Sequence, residues 1–511
     1  MPVGLIELIA AMRLSSILKH IMQLPQKADV EFIRLQLDSR KAAAGDVFVA
    51  LKGTQVDGRQ FISEVISRGT VAVLAESETN DAAVDFQNDI PVISIPKLRN
   101  ALGEIAAAYY GYPAREMKIY GVTGTNGKTS ITHFLAQALQ HLAVPCGVIG
   151  TLGNGIYGSL GEPGLTTPDA VTLQAMLREF ANNGANAAAM EVSSHSIDQG
   201  RINGIEFEAG IFTNLTQDHL DYHGTMEAYA AVKKRLFTDF PIKHIIINSD
   251  DTVGRKWLEE IKHPSRFAYG LHHAQLPASI PQIFADKISL SLSGIHCTLS
   301  TPWGDGDLSL PLIGQFNLCN VMAVLAVLCL QGFSFQDVLN VLMKLSAVPG
   351  RMQLLGGRGR PLVAVDYSHT PDSLEKALQS LRKHTGGKLI CVFGCGGNRD
   401  IAKRPLMAGI AEQWSDQVIV TNDNPRHEDP EEIARQIIKG FQFPERVDII
   451  LDRSKAIEKS IQCATANDCI LIAGKGAEQY QQIGDQKYPF DDVKQVNRYL
   501  NETVKEHHGD S

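Results

Sequence analysis

Residues 121–130 read Gly-Val-Thr-Gly-Thr-Asn-Gly-Lys-Thr-Ser, a glycine-rich turn with one lysine and two adjacent hydroxyls. Such a turn closes backbone N–H groups around phosphate oxygens, and the helix that follows aims its positive end at them. Lys128 adds a full charge, and the hydroxyls of Thr129 and Ser130 suit Mg²⁺. An ordinary strand-to-helix turn has no use for that lysine beside paired hydroxyls. The loop Gly124, Thr125, Asn126, Gly127, Lys128, Thr129 and Ser130 therefore predicts a nucleoside triphosphate site. Two polar clusters follow apolar runs further on: Glu191-Val-Ser-Ser-His195, and residues 213–223 with Asp218, His219 and Asp221. Alone, the first reads as well as a capped helix start and the second as an exposed loop; beside a phosphate loop both become candidate metal and phosphate neighbours.

These residues need elements to hold them. Apolar runs at 119–123, 187–191, 209–213 and 244–248 alternate with helical patterns and are nearly continuous, as in a parallel sheet covered on both faces. Residues 30–110 mix short β-like runs (46–51, 71–75, 92–95) with helices; Pro96 is expected to open the last helix and 111–113 to end it. Residues 285–313 alternate as an antiparallel appendage would, and a helix is predicted over 317–330. A second series at 362–366, 389–393, 417–421 and 469–473 ends each strand in a polar or glycine-rich cluster, where ligands of open α/β sheets collect. The prediction is an α/β protein of three domains: a small α/β N-terminal domain (1–112), a central P-loop domain with a mostly parallel sheet (113–346) and a C-terminal Rossmann-like α/β domain (347–511), with Val348 to Arg351 as hinge.

A length of 511 residues suits about three cores of ~150 residues each. A net charge of −8 argues against nucleic-acid binding through diffuse positive potential. Eight scattered cysteines, without a Cys-x-x-Cys pair, read as reduced thiols of a cytoplasmic protein. The stretch 1–14 reads as a short amphipathic helix rather than a signal peptide, and the apolar run 321–330 is too short to cross a bilayer, so no membrane is expected.

Val122 stands where the common phosphate-loop pattern has its first glycine, with Gly121 and Gly124 on either side. In this the loop resembles the Thr-Gly-Thr-Asn-Gly-Lys-Thr variant of the Mur ligases and their relatives, the folylpolyglutamate and cyanophycin synthetases. Six further motifs in order extend the likeness to the diaminopimelate-adding branch of the Mur ligases across all three domains: 191–195, Asp218-His-Leu-Asp-Tyr-His-Gly224, Asp366-Tyr-Ser-His-Thr-Pro-Asp372, Gly394-Cys-Gly-Gly-Asn-Arg-Asp400, Asp423-Asn-Pro-Arg426 and Gly474-Lys-Gly-Ala-Glu478.

The resemblance implies an ATP-dependent amide ligase with Mg²⁺, acting on UDP-MurNAc-L-Ala-D-Glu and meso-diaminopimelate through an acyl phosphate, as a monomer. Lys128, Glu191, His219 and Lys233 would be catalytic, with Thr129, Ser130, Glu191, His219 and a carbamylated Lys233 at the metal. The count also admits the neighbour Lys234, and without the likeness Lys233 reads as a solvated helix residue. Asn320 would approach adenine, while Arg351 and Asp366 would reach the nucleotide across the hinge, about which closure is expected. The uridine-nucleotide site would use Leu37, Ser39, Thr54, Gln55, Val56, Thr166, Thr167, Ser193, Gln199 and Arg201; Leu165 replaces an asparagine found in some members. Arg426 would bind a diaminopimelate carboxylate bidentately, with Arg399, Asp423, Asn424, Pro425, Gly474 and Glu478 completing the pocket. On the other reading, Glu428 or Asp429 pairs Arg426 as surface decoration. A lysine-adding sister enzyme, a folylpolyglutamate synthetase-like ligase and a non-catalytic nucleotide sensor stay as alternatives.

Overall fold

A computed structural model describes residues 11–53, 56–162, 164–291, 294–357 and 359–508. The chain forms two compact units: residues up to Gly121 with Val144–Glu208 and Arg235–Lys243, and Val122–Ala143 with Ala209–Lys234 and everything from His244 onward.

In the first unit, strands Arg34–Gln36, Asp46–Ala50, Ala72–Ser77 and Ile90–Pro96 lie parallel in that order, and Ala83–Gln87 closes the edge antiparallel. Alternation sorts the strand faces: Val47 and Val49 join a core with Leu98, Leu102 and Ile105, while Phe48 and Ala50 pack with Val65 and Ile66. Pro96 ends a strand instead of opening the helix, because Lys97 takes a left-handed turn (φ 50°) and the helix runs Leu98–Tyr109. Strand Cys146–Gly150 pairs parallel with Ala187–Glu191 and antiparallel with Gly153–Ile156, a meander that the apolar pattern did not announce. The Asp169 carboxylate accepts from Val171 and Thr172 N–H and so caps helix Ala170–Asn182.

The second unit holds the phosphate loop and helix Lys128–His141. Strands Ile242–Asn248, Arg266–Gly270 and Gln282–Ser291 run parallel, followed by antiparallel Gly294–Thr301 and Gly304–Leu310. The expected appendage is thus a continuation of that sheet. Helix Gln315–Leu330 is apolar all round because it is buried all round, and no described helix is long and apolar enough to cross a membrane.

The same unit carries a six-stranded sheet in the order Gln353–Gly356, Leu362–Asp366, Cys469–Ala473, Leu389–Phe393, Gln417–Val420, Asp448–Ile449. All but the first strand are parallel. Leu389, Cys391 and Phe393 face one core and Ile390 and Val392 the other, so helices cover both faces. Strand Cys469–Ala473 inserts between Leu362–Asp366 and Leu389–Phe393, and the parallel run brings the loops after residues 366, 393, 420 and 473 to one edge.

Candidate active site

The phosphate loop is shaped by two glycines with no room for a side chain. A Cβ on Gly124 (φ 142°) would lie 1.9 Å from the Thr213 hydroxyl, and one on Gly127 (φ 89°) 2.7 Å from Asn320 Oδ1. Residues 213–216 brace the loop as neighbours: Thr125 N–H donates to Asn214 O at 2.9 Å, and the Thr213 hydroxyl to Asn126 O at 2.6 Å. Lys128 folds back, its ammonium donating to Gly124 O (2.9 Å) and Thr125 O (2.8 Å). Thr129 and Ser130 are buried in the first helical turn, and Arg351 donates to the Thr129 hydroxyl at 2.9 Å. Asn126 donates to Asp372 at 3.0 Å. Arg351 also stacks over the Tyr367 ring, and buried Asp366 accepts from Met352 N–H (2.7 Å) and the Ser368 hydroxyl, holding the turn that carries Arg351. Burial pushes the Asp366 carboxyl up against those hydrogen bonds and Arg351.

Behind the loop, helix Met226–Thr238 places Lys233 fully inside, its amine donating to Gly124 O at 2.8 Å and lying over the Tyr229 ring. Burial, then the Lys128 charge, lowers its pKa well below the ordinary lysine value, with Asp218 opposing. Lys234, one residue on, pairs with Glu260 at 2.6 Å near the surface. Lys234 has no such burial. Asp218 is acidified although burial opposes it, by His219, His369, Lys403 and Lys128. His219 sits at φ 55° with Nε2 3.4 Å from Asp218. His369 is depressed to about 4, chiefly by burial and then by Lys403.

No three His, Cys, Asp or Glu side chains converge as a metal cage among the described residues. Lys233 as it stands is a hydrogen-bond donor to Gly124 O and not an oxygen ligand. Glu191 belongs to the first unit, buried at the end of strand Ala187–Glu191, where it accepts from Thr151 N–H at 2.8 Å and the Thr151 hydroxyl at 3.2 Å.

A second cluster of polar and charged residues lies at the common edge of the six-stranded sheet. Arg426 (φ 53°) is half-buried, and its guanidinium donates to Gly397 O at 2.8 Å. The surface-decoration reading is overturned. Glu428 is taken by buried Arg404 through two hydrogen bonds of 2.8 and 3.1 Å, and Asp429 caps helix Pro430–Ile438. Burial and then Arg399 lower the Arg426 pKa, against Asp423 and Glu478. Arg399 is exposed, Asp423, Asn424 and Pro425 are buried, and Gly474 (φ 117°) has no room for a Cβ, which would lie 2.5 Å from Asp423 Oδ2.

In the first unit, Arg201 donates to Thr167 O (2.8 Å) and to Gln199 Oε1 (3.0 and 2.6 Å), while the Thr167 hydroxyl donates to Glu191 O (2.8 Å) and Ser193 Oγ (3.4 Å). Thr166 reaches the same group through Thr151. Five of the expected uridine-nucleotide residues thus meet. Leu37 and Ser39 follow strand Arg34–Gln36, Val56 is exposed, and Thr54 and Gln55 lie outside the described residues.

Sequence reasoning passed over buried Lys475 and the hairpin Tyr480–Ile483 with Gln486–Pro489, whose residue Ile483 bridges Arg426. The Gly484-Asp485 turn between polar and aromatic residues was the available signal.

A glycine-rich phosphate loop, a buried lysine beside it and a cluster of Arg426, Asp423 and Glu478 at a parallel sheet edge define a class, the multidomain α/β ligases with a phosphate loop. Residues 31–110 match the family model "Mur ligase family, catalytic domain", 122–328 the "Mur ligase middle domain" and 350–476 the "Mur ligase, glutamate ligase domain". The chain is 46% identical over 473 residues to a protein of Coxiella burnetii named UDP-N-acetylmuramoyl-L-alanyl-D-glutamate–2,6-diaminopimelate ligase, covering 93% of this chain and 96% of that one. A Chromobacterium violaceum protein of the same name is 44% identical over 93% of this chain and 95% of its own. A solved structure with that name superimposes with a TM-score of 0.70 at 35% identity, covering 97% and 99% of the two chains. The chain belongs to the Mur ligase family, and its fold is that family's three-domain α/β architecture.

Proposed function

We propose that the protein is an ATP-dependent ligase that joins meso-diaminopimelate to the D-glutamate γ-carboxylate of UDP-MurNAc-L-Ala-D-Glu in peptidoglycan precursor synthesis. The observation that carries the choice of amino acid is Arg426, a half-buried guanidinium that donates to Gly397 O while Glu428 pairs with Arg404 and Asp429 caps a helix. A second carboxylate on the incoming amino acid suits that guanidinium as a bidentate partner, and lysine has no second carboxylate to offer. The relatives above bear the name of that reaction.

In the reaction the γ-carboxylate oxygen attacks the ATP γ-phosphorus and ADP leaves. The neutral amine of diaminopimelate then attacks the acyl carbon, phosphate departs, and the amine proton passes to solvent. The Gly124–Ser130 loop holds the triphosphate by its N–H groups. Lys128 turns from the loop carbonyls to a phosphate oxygen, and Arg351 releases Thr129 for it. Thr129, Ser130, His219 and carbamylated Lys233 would hold Mg²⁺, which offsets phosphate charge when bound. The domain limits 1–112, 113–346 and 347–511, closure about 347–351, a monomeric state and a cytoplasmic place belong to the same reading.

The test is phosphate release by the full chain with ATP, Mg²⁺ and the UDP-dipeptide, with diaminopimelate and lysine in parallel. Release with diaminopimelate at least ten times faster is expected. Preference for lysine overturns the amino-acid assignment, and no release with either overturns the ligase.

A further inference from the structure

Lys475 follows strand Cys469–Ala473 and is wholly buried, yet none of the steps above uses it. Its ammonium donates to Asn424 Oδ1 and to Glu478 Oε2, both at 3.0 Å, and faces the Tyr480 ring at 5.6 Å. Asn424 Oδ1 also accepts from Gln482 N–H at 2.9 Å, and its amide donates to Glu478 Oε2 at 2.8 Å. The three side chains close a triangle. Two donors converge on Asn424 Oδ1, which fixes which way the amide points, and two more converge on one oxygen of Glu478.

A lysine without access to water cannot touch a bound amino acid. A buried ammonium needs a carboxylate, though, and leaving either one alone costs far more than an exposed pair would. Lys475 therefore fixes Glu478 by Oε2 and leaves its other oxygen, Oε1, outside the triangle. Asp423, buried beside Gly474, supplies a second carboxylate on the same edge, and Arg426 the opposite charge. Two carboxylates and a guanidinium are complementary to an ammonium and a carboxylate on one carbon.

We infer that Lys475 is a positioning residue for amino-acid selection: it holds Glu478 and Asn424 so that Glu478 Oε1 accepts from the ammonium of the zwitterionic end whose carboxylate Arg426 binds. This rests on the ligase reading above and extends it to a residue outside the contact shell.

The experiment measures KM for meso-diaminopimelate, ATP and the UDP-dipeptide separately in the full chain. Lys475→Met should raise the diaminopimelate KM about 10- to 100-fold, the range for a lost hydrogen bond to a charged group. The other two KM values should stay within about twofold, a split that a general loss of structure does not produce. Glu478→Gln should show a rise of the same order, and the double variant K475M/E478Q should be no worse than the poorer single one, since both act on one contact. Losses that multiply overturn the proposal, as does a folded Lys475→Met with a diaminopimelate KM near wild type. Should Lys475→Met not fold, Lys475→Gln keeps a donor without the charge and is held to the same criteria; failure of both to fold makes Lys475 a folding residue and overturns the proposal. Wild-type turnover separates the two readings: a parent chain that makes no product with diaminopimelate refutes the ligase assignment, whereas Lys475 is judged only by variant-to-parent ratios.

Discussion

Arg426 and Lys233 are where single side chains decide most. Replacing Arg426 by alanine removes the guanidinium whose neighbour Glu428 is held by Arg404, and the diaminopimelate KM is expected to rise about 10- to 100-fold, with the UDP-dipeptide KM almost unchanged. Steady-state kinetics with each substrate varied in turn check this; equal losses would make Arg426 a support for its loop. Lys233→Ala should nearly abolish turnover, and a short carboxylic acid should restore part of it by supplying the missing oxygen pair. Lys234→Ala, which removes only a surface pair with Glu260, should keep most of the rate. A fully active Lys233→Ala would move the carbamate elsewhere. Composition says nothing about which of two adjacent lysines points inward: the helix turns about 100° between them, and what lies on each side comes from Gly124, over a hundred residues earlier.

Among the elements, the loops at the sheet edge depend on a buried ion pair. Arg453 and Asp492 are both fully buried and joined by hydrogen bonds of 2.8 and 2.7 Å, and Arg453 also donates to Ala473 O at 3.0 Å, directly before the Gly474–Glu478 loop. Asp492→Asn leaves that guanidinium charge unpaired and should cost about 3–5 kcal/mol in urea unfolding. A loss under about 1 kcal/mol would mean that water reaches the pair. The strands were the legible part: 187–191, 362–366, 389–393 and 469–473 are found with the limits the apolar runs suggest, since strands buried on both faces need unbroken apolar stretches. The strands 153–160 and the hairpin 480–489 escaped because their faces are mixed or exposed, and the buried strand 146–150 because two of its five residues are glycines.

Across the whole molecule, buried histidines contribute to the response to acid. His133 and His369 are both depressed to about 4, mainly by burial, so the folded protein keeps them neutral while the unfolded chain takes protons below about pH 6.5. Their contribution to stability is therefore complete above pH 6.5 and falls as pH drops toward 4, by roughly 3 kcal/mol for His133 alone. Thermal midpoints over that range should fall steeply, and His133→Gln should flatten the curve; an unchanged slope would show that His133 is reached by water. The phosphate loop and the six-stranded sheet share one compact unit, with Arg351 on Thr129 and Asn126 on Asp372 linking segments more than two hundred residues apart.

The sequence by itself determined the chemistry available: a glycine-rich loop with its lysine and hydroxyls, a motif series of one ligase family, and apolar runs that can only be buried strands. These are local properties, carried by neighbouring residues and by periodicity. Only the tertiary structure decided which lysine is desolvated, that Glu428 belongs to Arg404 and not to Arg426, and that Lys475 rather than solvent faces Glu478. Burial and charge pairing depend on what the strand order brings together, and with strand Cys469–Ala473 inserted between Leu362–Asp366 and Leu389–Phe393, that order follows from packing across the chain and not from any stretch of it.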